Sequence, residues 1–291
     1  MVDFLQAALG GLGAGSLYAL MALGLVLIYR ATHVVNFGQA DLVTMVAFVA
    51  FLLAQLLPLG LALALAILLG GFLGIAVDRA VMAPARRRGA SPLALLVASL
   101  GVGILVNGLN GLFFGHSPRS LPSPWPSGAW LLGAVVVSWD VVLNVLTAAL
   151  LAAALFLWFR YSLLGLGVRA VLENPWQARL CGVPAPRVYG VSWALGVGLG
   201  GVAGLLAAPL VYLEPNALVE LLVKGFAAAV LGGLTSLPGA VVGGLGLGLV
   251  ENWVALYLGP ELKSTVAFLV IVGVLALRPA GLLGEAPRIR V

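Results

Sequence analysis

The chain has 291 residues, 62% hydrophobic and 9% charged, with a mean hydropathy of +1.15, whereas a soluble domain carries about 45–50% apolar and about 25% charged residues. That composition excludes a soluble globular domain and requires an integral membrane protein. The formal net charge of +5 is no sign of nucleic-acid binding here, because in a membrane protein the placement of charge matters more than its sum.

In chain order, residues 4–28 are too long for a signal-peptide core and have no small-residue cleavage site, which predicts a retained first span. Apolar stretches of spanning length follow near 40–57, 59–78, 92–113, 133–158, 188–208 and 263–277. The stretch 219–257 is also apolar but is interrupted by "GGLTSLPGA" at 232–240. There Thr235, Ser236, Pro238 and Gly239 stop a helix. The expected fold class is therefore all-α, a polytopic bundle of about eight spans with a broken or re-entrant helix near 232–240.

Basic residues sort onto alternate loops. All of the Lys+Arg except Arg119, Lys224 and Lys263 fall on one side, in the 79–91 loop, the 159–188 loop, the C-terminal tail and at Arg30. The positive-inside rule makes that side cytoplasmic, with the C-terminus inside and the N-terminus and the 114–132 loop outside. Lys224 and Glu261 then lie outside, so 219–257 must leave that face and return to it. A second interruption, "THVVNFGQAD" at 32–41, reads either as a cytoplasmic loop beside Arg30 or as the counterpart of the later break. Corresponding breaks in two halves indicate an internal inverted repeat with the pathway at its interface.

Glycines four apart, such as Gly11 with Gly15, Gly70 with Gly74 and Gly244 with Gly248, read as sites of close helix approach. "GVGLGG" at 196–201 lies inside a span with no strand before it, so it is no dinucleotide site. "GPELKST" at 259–265 has Leu262 where a phosphate loop needs glycine. Any ATP is thus hydrolysed by another chain, and no enzyme activity is expected of this one. With one cysteine, Cys181, and His33 and His116 far apart, neither a metal nor a cofactor is expected.

Polar residues within spans are candidate pathway positions because each is costly in lipid: Asn36, Gln39, Asp41, Thr235, Ser236, Glu251 and Asn252, joined by Gly38, Pro238 and Gly239 at the two interruptions. Asn107 and Asn110, three apart, read as partners in interhelical hydrogen bonds. Glu251 lines a pathway, pairs with a neighbouring helix or sits near the outer interface. Such a pathway by itself also suits a self-contained channel or secondary transporter for a small polar solute.

Four stretches together resemble a known family: "LGAGSLYALMALGLVLIYRATHVVNFGQADLVTMVAFVAF", "RRRGASPLALLVASLGVGILVNGL", "RAVLENPWQARLCGVPAPRVYGVSWALG" and "KGFAAAVLGGLTSLPGAVVGGLGLGLVE". In order and spacing they are similar to the permeases of branched-chain amino acid ABC transporters, the shorter LivH-type subunit most of all. Val35 and Ala40 depart from the family pattern. The resemblance covers nearly the whole chain. It implies one transmembrane permease domain over 1–291 in a bacterial or archaeal cytoplasmic membrane. The implied partners are a second, LivM-type permease, two cytoplasmic ATPase subunits and an extracytoplasmic binding protein. Leucine, isoleucine and valine are the family's substrates, while relatives carry other amino acids, urea or short amides.

The 159–188 loop holds a polar passage, "ENPWQARLCGV" at 173–183. Asn174 is placed to cap a helix with Pro175 at its first position, and Gly182 to stop it about two turns later. Trp176 and Leu180 make an apolar face on that helix. The resemblance implies an ATPase-coupling helix over Glu173, Asn174, Pro175, Trp176, Ala178, Leu180 and Gly182. The alternative is an interfacial helix anchored by Trp176.

Overall fold

A computed structural model describes residues 2–284; Arg288 and Arg290 of the basic tail lie outside them. In chain order the helices are α1 (Val2–Thr32), α2 (Gln39–Leu53), α3 (Leu59–Val77), α4 (Ala83–Arg87), α5 (Pro92–Phe114), α6 (Trp139–Tyr161), α7 (Leu163–Glu173), α8 (Pro175–Leu180), α9 (Ala185–Ala207), α10 (Val219–Gly232), α11 (Leu237–Tyr257) and α12 (Lys263–Leu277). A π-helical turn, Asp78–Met82, joins α3 to α4. Among the described residues 7 helices are long and apolar enough to cross a membrane. A shorter apolar helix, α2, accompanies them, and α10 is a further short helix that carries Glu220 and Lys224.

The stretch expected as a span from 133 begins differently. Residues Ala129–Leu132 (β1) and Val135–Ser138 (β2) form an antiparallel hairpin, and α6 starts only at Trp139. The reason is local. Val135, Val136 and Val137 are β-branched, and Gly133 supplies the positive φ the turn requires (φ 67).

The chain divides into two compact units. The first takes residues up to Leu23, Trp125–Ala152 and the chain from Val223; the second takes Gly24–Pro124 and Ala153–Leu222. In the first, α1 packs on α11 through two glycine pairs. A Cβ on Gly11 would lie 2.9 Å from the Gly248 carbonyl oxygen, and one on Gly15 would lie 2.9 Å from that of Gly244. No other residue allows that backbone approach. In the second unit, α3 packs on α9, with Gly74 against the Trp193 carbonyl, and α2 lies against α3, α5 and α9. Ile28, Leu42, Met82, Trp193 and Val197 form its core.

The interruption at 232–240 is present: α10 ends at Gly232 and the longer α11 begins at Leu237. Gly232 and Gly239 touch across the turn, and the amides of Leu282 and Leu283 donate to the carbonyls of Leu231 and Gly232 (2.9 and 3.0 Å). The interruption at 33–38 is a true break as well. His33 takes a left-handed conformation (φ 55) that ends α1.

The order of elements repeats. A long helix, a break, a short helix, a turn and a long helix occur as α1, α2, α3 and again as α9, α10, α11. One constant interval relates Asn36 to Asn216, Leu42 to Leu222 and Pro58 to Pro238. Backbone bonds repeat with it. The Asn36 carbonyl accepts from the Gln39 amide (3.3 Å) and the Asn216 carbonyl from that of Val219 (3.2 Å). Contacts are exchanged between the copies, since α3 packs on α9 and its counterpart α11 packs on α1. The exchanged contacts are those of an inverted repeat.

Gly244→Leu should drive a side chain into the α1 backbone at Ala19 and destabilise the protein by about 1–3 kcal/mol. Gly246→Leu should be tolerated, because a Cβ on Gly246 would meet nothing within 4 Å. Thermal unfolding in detergent separates the two.

Candidate functional site

Where α1 stops, the chain dips into the second unit without helical bonds, so side chains must satisfy its polar groups. They do. Thr32 Oγ1 accepts from the Val34 amide (3.3 Å). Ser99 Oγ of α5 accepts from the Phe37 amide (3.3 Å), and its one proton is shared between the Leu96 carbonyl (2.7 Å) and the Val35 carbonyl (3.3 Å). Asn36 Nδ2 donates to Gln39 Oε1 (2.7 Å), and Gln39 Nε2 donates to the Gly196 carbonyl in α9 (2.8 Å). Gly38 is obligatory: a Cβ there would lie 2.7 Å from the Ser99 carbonyl oxygen and 2.9 Å from the Gly103 amide nitrogen.

Of the candidate pathway residues at this break, Asn36 and Gln39 are fully buried and act as braces. Asp41, one turn further on, is half-buried. Its Oδ1 accepts from Asn107 Nδ2 of α5 (2.9 Å), and its carbonyl accepts from Asn110 Nδ2 (3.1 Å). The Asn107 amide also reaches the Pro215 carbonyl (3.2 Å) and Asn216 Oδ1 (2.9 Å), just before α10. Asn107 and Asn110 therefore do bond between helices, as their spacing predicts, while the link to the segment before α10 is invisible in sequence.

In the first unit, Glu251 is 1% exposed. Its Oε2 accepts from the Tyr18 hydroxyl (2.9 Å) and the Lys224 ammonium (3.2 Å), and Lys263 Nζ lies 3.9 Å away. Glu251 therefore pairs with neighbouring helices. Lys224 is buried within α10, where the carboxylate on α11 compensates it. At the 233–236 turn Ser236 Oγ caps α11 by accepting from the Gly239 amide (3.0 Å). Thr235 and Pro238 are exposed and Gly239 is buried against Gly232.

The polar passage after α6 forms α7 and α8. Asn174 Oδ1 accepts from the Trp176 and Gln177 amides (2.9 and 3.2 Å), Pro175 opens α8, and Gly182 with φ 80 follows its end. Trp176 and Leu180 are 70% and 77% exposed, and Glu173, Gln177 and Arg179 are exposed with them. Ala178 faces the other way, at 4% exposure, so it belongs to the packing of α8 and not to its outer surface. Among the described residues no group of His, Cys, Asp and Glu is placed to hold a metal ion.

Residues 7–275 match the family model for the branched-chain amino acid transport system permease component. The chain belongs to this family. It is 31% identical to the high-affinity branched-chain amino acid transport system permease protein LivH of Escherichia coli (strain K12), over 97% of this chain and 96% of that one. The corresponding protein BraD of Pseudomonas aeruginosa is 30% identical over the same shares. A probable LivH of Methanocaldococcus jannaschii is 27% identical over 94% of this chain and 91% of its own. The chain is thus a multi-pass, LivH-type permease subunit, a transport protein and not an enzyme.

Glu251→Leu in this LivH-type permease should leave Lys224 buried without its carboxylate and cost on the order of 3 kcal/mol. Adding Lys224→Met should recover part of that loss, read as the unfolding temperature of the purified protein.

Proposed function

We propose that this subunit carries leucine, isoleucine, valine or a related small amino acid inward across a bacterial or archaeal cytoplasmic membrane. The driving force is ATP hydrolysis in partner subunits. The partners are a homologous LivM-type permease, two cytoplasmic ATPase subunits and an extracytoplasmic binding protein. The whole chain acts as one permease domain whose 159–188 segment and C-terminus face the cytoplasm.

One observation carries the motor assignment. Helix α8 is capped at its start, followed by a positive-φ glycine, and exposes Trp176 and Leu180 within a polar rim. An apolar centre with a polar edge is the anatomy of a docking element. In this reading α8 is the coupling helix, with Glu173, Asn174, Trp176, Leu180 and Gly182 shaping it. Closure of the ATPase pair moves α8 as a lever, and the spans attached through α7 and α9 switch the pathway between outward and inward access. In this reading Asp41 is a pathway residue of the second unit.

Proteoliposomes holding the four membrane-associated subunits, supplied with the binding protein and internal ATP, should accumulate branched-chain amino acids. Uptake that persists without the ATPase subunits would instead support a self-contained transporter. Trp176→Ala with Leu180→Asp should lower co-purification of the ATPase subunits at least about tenfold, since two central contacts are removed. Unchanged recovery would reject docking through α8.

A further inference from the structure

The side-chain amide of Asn107 is surrounded by more acceptors than it can serve. Three oxygens lie within hydrogen-bond distance of its Nδ2: Asp41 Oδ1 at 2.9 Å, Asn216 Oδ1 at 2.9 Å and the Pro215 carbonyl at 3.2 Å. A primary amide has two N–H bonds, so one acceptor is always left over. A group with three N–H donors and a positive charge matches this set; an amide does not.

The charge is also uncompensated. Asp41 forms no ion pair with any Lys, Arg or His among the described residues, in contrast to Asp78 with Arg86 and Glu251 with Lys224. A carboxylate held among apolar helices without a cation is costly, and such residues mark ligand pathways. It is accessible too, since Asp41 and Asn107 are half-buried and Asn216 is exposed. Behind it two buried side chains have spare hydrogen-bonding capacity. Asn110, whose Nδ2 holds the Asp41 carbonyl, has no partner for Oδ1, and Thr44, one turn beyond Asp41, has none for Oγ1.

We propose that Asp41 Oδ1, Asn216 Oδ1 and the Pro215 carbonyl bind the α-ammonium group of the transported amino acid. The Asn107 amide occupies the place that the ammonium takes over. This rests on the amino-acid reading above and deepens it. The α-ammonium is common to all amino acids, so the subsite selects for a zwitterion and leaves the choice of side chain to other surfaces. It also ties substrate to the segment before α10, because Asn216 and Pro215 change partner when the ammonium arrives.

The test is leucine uptake by the complete reconstituted transporter, with binding protein saturated by leucine so that capture does not limit the rate. Asp41→Asn should lower uptake at least about tenfold, the size of a lost charged hydrogen bond. Asp41→Glu should restore part of it, and Asn216→Ala should lower uptake by a smaller factor. Asp41→Asn protein that assembles with its ATPase subunits and carries leucine at the wild-type rate overturns the proposal. If Asp41→Asn fails to accumulate in the membrane, Asn216→Ala decides, and unchanged uptake there overturns it. Wild-type uptake that requires Na⁺ and loses that requirement in Asp41→Glu assigns the oxygens to a metal cation and also overturns it. A wild-type transporter that carries an uncharged amide but no amino acid removes the amino-acid reading itself, an outcome separate from wild-type leucine uptake with indifferent variants.

Discussion

A backbone amide or carbonyl inside a bilayer has no water to bond, so a chain that stops its helix there must supply protein partners for every freed group. That constraint organises the second unit. Once His33 ends α1, the segment up to Gly38 is held by Thr32, Ser99 and the Asn36–Gln39 pair, and Gln39 ties it to the Gly196 carbonyl of α9. Remove those bonds and α2 has no fixed starting point. Asp41 would then lose its position against α5.

Glycine makes the bracing geometrically feasible. The amide of Gln39 reaches α9, and Gly38 meets Gly103, only because no side chain stands between the backbones. The same device recurs where α1 meets α11 in the first unit. Because van der Waals contact and not hydrophobic expulsion drives association of helices in lipid, these close approaches are a main source of helix pairing. The inverted repeat uses them twice, exchanging α3 on α9 for α11 on α1.

Polar residues in the chain divide by task. Gln39 and Ser99 satisfy backbone, and Asn36 holds the Gln39 side chain. Glu251 with Lys224 and Tyr18 compensates charge within α1, α10 and α11. Asp41 does neither completely, which is why it stands out as a ligand group in a transport subunit. Outside the spans, α8 reverses the pattern: its apolar residues are the exposed ones and its small residue, Ala178, is buried.

The sequence alone determined the membrane class, the number of long spans to within one, the interruption at 232–240 and the capped helix at 175–180. Each is a local property: hydropathy over a window, glycine and proline as stops, and Asn-Pro as a helix start. Its errors were at positions where local properties are ambiguous or misleading. The valines at 135–137 are as apolar as a helix start yet pair as strands, and nothing local shows that Lys224 is buried against a carboxylate. Only the tertiary structure decided that Glu251 compensates that cation, that Ala178 packs inward and that Asn107 joins Asp41 to Asn216. These are pairings between residues far apart in the chain. Their free energy depends on distance and burial, and neither is a property of any stretch read by itself.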